Sequence, residues 1–169
     1  PTEVIASLPV TGGISNPLCC ALHCKNDSLL SSGCADGSLV LCPWGSATAP
    51  HDLAVYDCLQ KQTARIHLGS PILCTSFSMS INVVAASGMD GFVHLIVYKQ
   101  GLGGAVQATL VEKKKIQHGK YVKAMTWIDG TNSMSPVLAT GSADGTVCLT
   151  RVHLTFDDDD VPAISVETL

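Results

Sequence analysis

Leu138-Ala139-Thr140-Gly141-Ser142-Ala143-Asp144-Gly145-Thr146-Val147 is the stretch that decides the fold. A run of small and β-branched residues leads into Asp-Gly, and a second β-favouring run leads out. Two antiparallel strands joined by a tight turn have this pattern, because Asp and Gly tolerate the positive φ such turns use. A like arrangement stands at Leu30-Ser31-Ser32-Gly33-Cys34-Ala35-Asp36-Gly37-Ser38-Leu39-Val40, and again around Asp90-Gly91. Asp36, Asp90 and Asp144 are 54 residues apart both times. One Asp-Gly pair means nothing, but three with aligned flanks mark an internal repeat.

Working outward, the first two copies align without a gap. Pro17 falls on Pro71, Leu18 on Ile72, Cys20 on Cys74, Leu29 on Val83 and Leu30 on Val84. The third copy starts at Tyr121-Val122-Lys123-Ala124-Met125-Thr126-Trp127 and carries extra residues between Asp129 and Pro136. In the second copy, strands are expected over Ile72–Ser78, Val83–Ser87, Phe92–Tyr98 and Ala108–Ile116. Ser80-Ile81-Asn82 is read as a turn and Gly101-Leu102-Gly103-Gly104 as a flexible connection. Four antiparallel strands per copy, the last the most exposed, describe one blade of a β-propeller.

These repeats resemble the second and third strands of WD repeats. In that family a His before the first strand, a Ser or Thr on the second and the turn Asp form a hydrogen-bonded network completed by a Trp. The resemblance implies that Asp36, Asp90 and Asp144 brace their hairpins, with Ser32 and Thr140 at the hydroxyl position. His67 and His118 fall near the place of the His. The departures are plain: the Trp position holds Cys42, Ile96 and Thr150, and the second copy has Ala86 in place of the hydroxyl. An all-β chain is expected, with blades at 14–66, 67–117 and 118–169 and with residues 1–13 as the outer strand of a preceding blade. The resemblance implies a ring of about six to eight blades. Since the chain opens at Pro1 and holds only about three, it is expected to be a segment whose missing blades come from the parent chain or another chain.

Composition narrows the function classes. Charged residues are 14% of the chain, against roughly 25% in an average domain. A net charge of −4 argues against a broad nucleic-acid surface. No apolar run approaches the roughly 18 residues of a membrane helix. The eight cysteines do not have the spacing of a disulfide framework and mostly sit in apolar stretches, as buried reduced thiols do. An intracellular setting, cytoplasmic or nuclear, is expected.

Other constellations read as structure. Cys19, Cys20, His23, Cys24, Cys34 and Cys42 invite zinc, but Cys19 and Cys20 would point to opposite faces of one strand and no Cys-x-x-Cys pair exists. Asp157-Asp158-Asp159-Asp160 lacks the glycine turns of a calcium loop and reads as a solvated loop between third and fourth strands. Lys113-Lys114-Lys115 reads as protection of an outer edge strand. Asn26-Asp27-Ser28 fits a glycosylation sequon, placed here in an intracellular turn. No metal and no cofactor are expected.

The function expected from the resemblance is a non-catalytic protein–protein interaction scaffold. Such proteins dock partners on the loops before the first strand and between the second and third. Here those loops hold His67, Met89, His118, Lys120 and Tyr121. The alternative is a coat or ring-completion subunit whose open propeller a partner closes. An enzyme on a propeller platform ranks last, because the inner strands Leu18-Cys19-Cys20-Ala21-Leu22 and Ile72-Leu73-Cys74-Thr75-Ser76 offer almost nothing ionisable. Protein partners are expected, and neither nucleic acid nor membrane.

Overall fold

The computed structural model describes residues 16–23, 29–43, 63–101, 105–111, 116–130 and 135–169. All the regular elements among them are strands. The first sheet holds β1 (Pro17–His23), β2 (Leu29–Cys34), β3 (Ser38–Pro43) and β4 (Ala64–His67), in that order. The second holds β5 (Ile72–Phe77), β6 (Val83–Gly88), β7 (Phe92–Gln100) and β8 (Val106–Leu110), with β9 (Ile116–Gln117) also on β7. The third holds β10 (Val122–Ile128), β11 (Val137–Ser142), β12 (Val147–Phe156) and β13 (Pro162–Thr168). All pairings are antiparallel. Three meandering four-stranded units packed face to face are an arc of a β-propeller.

The period-two alternation of each strand decides the packing. Val84, Ala86, Ile96 and Tyr98 of the second sheet meet Leu29, Leu39 and Leu41 of the first. The intervening Val83, Ala85, Val93, Leu95 and Val97 meet Val122, Leu138, Val152 and Ile164 of the third. The middle sheet is covered on both faces, which is why β6 and β7 are apolar almost without interruption. Hydroxyls tie the sheets at their small-residue positions. The Ser31 and Thr75 hydroxyls lie 2.9 Å apart, and the Ser87 hydroxyl donates to the Val122 carbonyl at 3.3 Å.

The structure corrects the sequence reading at four points. Cys19, not Cys20, is the partner of Gly33, as Cys74 is of Ser87, so the first two copies are not gapless. Counted between these equivalent pairs, the β1–β2 hairpin is one residue longer than the β5–β6 hairpin. A one-residue shift reverses every side chain of a strand. Cys20 is therefore exposed, and Cys19 packs between the sheets. The expected fourth strand over Ala108–Ile116 is instead β8 and β9, two pieces on one edge of β7, with Val111 N–H bonded to the Leu95 carbonyl between them. At the three Asp-Gly turns only the glycine takes positive φ (84°, 79° and 89°), and the aspartate does not. Finally, His67 closes β4 opposite Ser38 and is exposed. The place before the next sheet's first strand belongs to Leu68, one residue on. Residues 1–13, Lys113-Lys114-Lys115, Leu102-Gly103-Gly104, Cys24 and Asn26-Asp27-Ser28 lie outside the described residues.

Candidate functional site

The three Asp-Gly turns lie along one edge of the arc, and each does the same local work. Asp36, Asp90 and Asp144 accept the backbone N–H two residues on, from Ser38 (2.8 Å), Phe92 (3.1 Å) and Thr146 (2.9 Å). The glycine N–H returns to the carbonyl three residues back, at Cys34, Gly88 and Ser142. A carboxylate at this position satisfies a donor that the bend leaves unpaired.

Around Asp144 the turn grows into a network. Its carboxylate also accepts the Thr146 hydroxyl (2.6 Å) and the Gly119 N–H (2.7 Å). The His118 ring lies between hydroxyls, with Nε2 at 2.8 Å from Thr140 and Nδ1 at 3.2 Å from Thr146. His118 is buried, near the place the resemblance gives the family's His, so it braces the turn and its ring is not presented as a docking anchor. In the second sheet the imidazole comes from elsewhere. His94 of β7 pairs with Ala86 and sets its Nε2 3.7 Å from the Asp90 carboxylate. The residue opposite His94, at the hydroxyl position, is Ala86. Ser32 is buried at the matching place in the first sheet.

The segment before β10 is held from both sides. His118 N–H donates to the Gly91 carbonyl of the second sheet (2.9 Å), and Ala143 N–H to the Tyr121 carbonyl (3.0 Å). The Ser142 hydroxyl reaches the Lys120 and Tyr121 carbonyls at 3.1 and 3.2 Å. On this fixed backbone Lys120 is exposed, Tyr121 is half-buried, and the Lys123 ammonium stands 5.4 Å from the Tyr121 ring centroid. Met89, one residue before Asp90, is 58% exposed on the same edge. His67 is exposed at the end of β4, at the neighbouring junction.

Several joints escaped the sequence reading. Asp129, just past β10, accepts the Ser78 hydroxyl (2.8 Å) and the Met79 N–H (2.9 Å) across the second and third sheets. The Trp127 indole donates to the Ser76 carbonyl at 3.0 Å. Lys99 meets the Asp160 carboxylate and lies over the Phe156 ring. The acidic run is thus partly structural: Asp157 also accepts the Val161 N–H at 2.7 Å. No local repeat marks these partners, which lie fifty or more residues apart.

Among the described residues, no three His, Cys, Asp or Glu are grouped to hold a metal. Burial pushes the Cys19 thiol up to about 11, and the Cys42 and Cys74 thiols in the same direction. That disfavours the thiolate a metal would need.

Two carboxylates, Asp144 and Asp129, are shifted in the opposite sense. The Thr146 hydroxyl and N–H hold Asp144 far below the usual range. For Asp129, burial acts upwards, but donors from Met79, Ser78 and Ser80 outweigh it and leave the group lowered. A depressed folded value gives stability that is present above the unfolded value, roughly 3.9, and lost as the pH falls through the folded one. Melting temperatures should therefore be level above about pH 5 and decline below about pH 4. Asp144→Asn should melt lower at neutral pH and show a shallower acid decline. Parallel pH curves for the two proteins would refute the bracing role.

Residues 111–150 match the protein family described as WD domain, G-beta repeat. The matched span runs from the end of the second sheet to the middle of β12 and contains His118, Thr140 and Asp144. No curated protein matches the chain.

Proposed function

We propose that this chain, which carries a WD repeat at residues 111–150, is a non-catalytic protein–protein interaction scaffold, a subunit or adaptor of an intracellular complex. The observation that carries the reading is the edge around residues 118–121. Its backbone is bonded to two sheets, while the side chains of Lys120 and Met89 are left to solvent. A surface already fixed in place gives up little conformational freedom on binding. Exposed Met and half-exposed Tyr beside it supply adaptable and rigid anchors. Docking on Met89, Lys120 and Tyr121, with His67 at the next junction, follows from this reading. The six described cysteines are free thiols, which fits a reducing compartment.

The reading is tested by affinity capture with the full chain. A Met89→Asp/Lys120→Glu variant should lose partners that the wild type retains, at an unchanged melting temperature. Asp158→Asn, beyond the opposite end of β12, should keep them. If the edge variant retained every partner, docking on this edge would be wrong. A second reading, a propeller closed by another chain, is favoured by one specific observation: Val147 on β12 is 75% exposed.

A further inference from the structure

The chain holds four Asp-Gly pairs: Asp36-Gly37, Asp90-Gly91 and Asp144-Gly145 in the repeated turns, and Asp129-Gly130 outside them. An aspartate before glycine is open to a reaction within its own backbone, because no Cβ on the next residue shields the following nitrogen. That nitrogen attacks the side-chain Cγ and closes a five-membered imide. The attack needs the neutral acid, which can release water. Donors that hold the carboxylate charged and fixed therefore suppress it.

The four carboxylates are held unequally. Asp144 accepts the Thr146 N–H, the Thr146 hydroxyl and the Gly119 N–H at 2.9, 2.6 and 2.7 Å. Asp129 accepts the Ser78 hydroxyl and the Met79 N–H at 2.8 and 2.9 Å, and Asp36 the Ser38 N–H at 2.8 Å. Asp90 accepts the Phe92 N–H at 3.1 Å, the longest of these bonds. The His94 Nε2 stands 3.7 Å from it, beyond hydrogen-bond reach. The glycine N–H, which must give up its proton, is also held most loosely here: 3.4 Å at Gly91, against 3.1 Å at Gly37 and 3.2 Å at Gly145. Packing acts the other way, since Gly91 is buried against the His118 and Lys120 carbonyls while a Cβ on Gly145 would meet nothing within 4 Å. The carboxylate decides, because the population of neutral acid falls exponentially with the strength of the bonds to the charged form.

We propose that Asp90 is a modification site, the aspartate of this chain that converts first to isoaspartate, and that the change loosens the edge at residues 118–121. The Gly91 nitrogen bonds to the Asp90 Cγ, the carboxyl hydroxyl leaves with the amide proton, and one water is lost. Hydrolysis at the Asp90 main-chain carbonyl then breaks the old peptide bond and returns that water. Water is the only co-reactant and the mass is unchanged. The main chain has gained one methylene, and the former main-chain carbonyl has become a free carboxylate. The added carbon falls in a turn with no room for it. There the Gly91 carbonyl accepts the His118 N–H at 2.9 Å, and a Cβ on Gly91 would lie 2.7 Å from the His118 oxygen and 2.9 Å from that of Lys120. The effect on docking rests on the scaffold reading; the isomerisation does not.

The full chain is aged at physiological temperature and neutral pH. Isoaspartate is then located by methyl transfer from S-adenosylmethionine, using an isoaspartate methyltransferase, and by peptide fragmentation. Asp90 should convert about tenfold or more faster than Asp144, and faster than Asp36 and Asp129. In urea the four should convert at similar rates, since each precedes glycine. Thr146→Val, which takes one donor from Asp144, should speed conversion there and leave Asp90 unchanged. The aged chain should melt lower, and methyltransferase treatment, which returns isoaspartate to aspartate, should restore it. Conversion at any other of the four as fast as at Asp90 overturns the proposal, as does the same order of rates in urea. An unchanged melting temperature in a chain carrying isoaspartate at 90 overturns the coupling to residues 118–121. Retention of every partner by an aged chain that melts lower would count against docking on this edge and leave the modification standing.

Discussion

Gly91→Ala is expected to lose far more stability than Gly145→Ala, although both residues close the same turn at nearly the same φ, 79° and 89°. A non-glycine residue at positive φ costs about 1–2 kcal/mol, and both variants incur that. Only at Gly91 does the new Cβ also meet backbone, 2.7 Å from the His118 oxygen and 2.9 Å from the Lys120 oxygen. Backbone cannot rotate away as a side chain can, so a further overpacking cost of about 1–3 kcal/mol applies. The displaced segment would also weaken the His118 N–H to Gly91 carbonyl bond. A loss of about 2–5 kcal/mol is comparable with much of a domain's net stability of about 5–15 kcal/mol. Urea unfolding of the two variants is the measurement. Equal losses would mean that the second and third sheets do not pack through this turn.

Leu95→Ala should cost about 2–5 kcal/mol, because it opens a cavity among residues that relax only in part. Leu95 is fully buried between the second and third sheets. Leu149→Ala removes the same side chain from the equivalent place one repeat later, and should change stability by about 0.5 kcal/mol or less, as surface substitutions do. Leu41→Ala, buried between the first and second sheets, should resemble Leu95→Ala. Thermal melts of the three variants test whether position along the arc outweighs position in the repeat. A large loss at Leu149 would show that its face is covered in solution.

The hairpins were legible because their chemistry is local. An aspartate accepting the N–H two residues on, followed by a glycine with positive φ, needs nothing from the rest of the chain. The three occurrences, 54 residues apart, were enough to reveal three antiparallel units. The polar network was legible only where the repeat keeps its residues, at His118, Thr140 and Asp144. In the second sheet His94 approaches the aspartate from the neighbouring strand, a substitution visible only once Ala86 and His94 are seen to pair.

By itself, then, the sequence determined the turn chemistry, the strand type and the repeat, all of which follow from contacts within a few residues. Tertiary structure decided which residue of a strand faces which sheet. One extra residue in the β1–β2 hairpin exchanged Cys19 for Cys20, because side chains alternate with a period of two. It also decided that Asp129 should reach Ser78, since bonds between residues so far apart in the chain leave no periodic trace. And it separated Leu41 and Leu95 from Leu149, three leucines at one position of the repeat, because burial belongs to the neighbour that covers a residue and not to the residue.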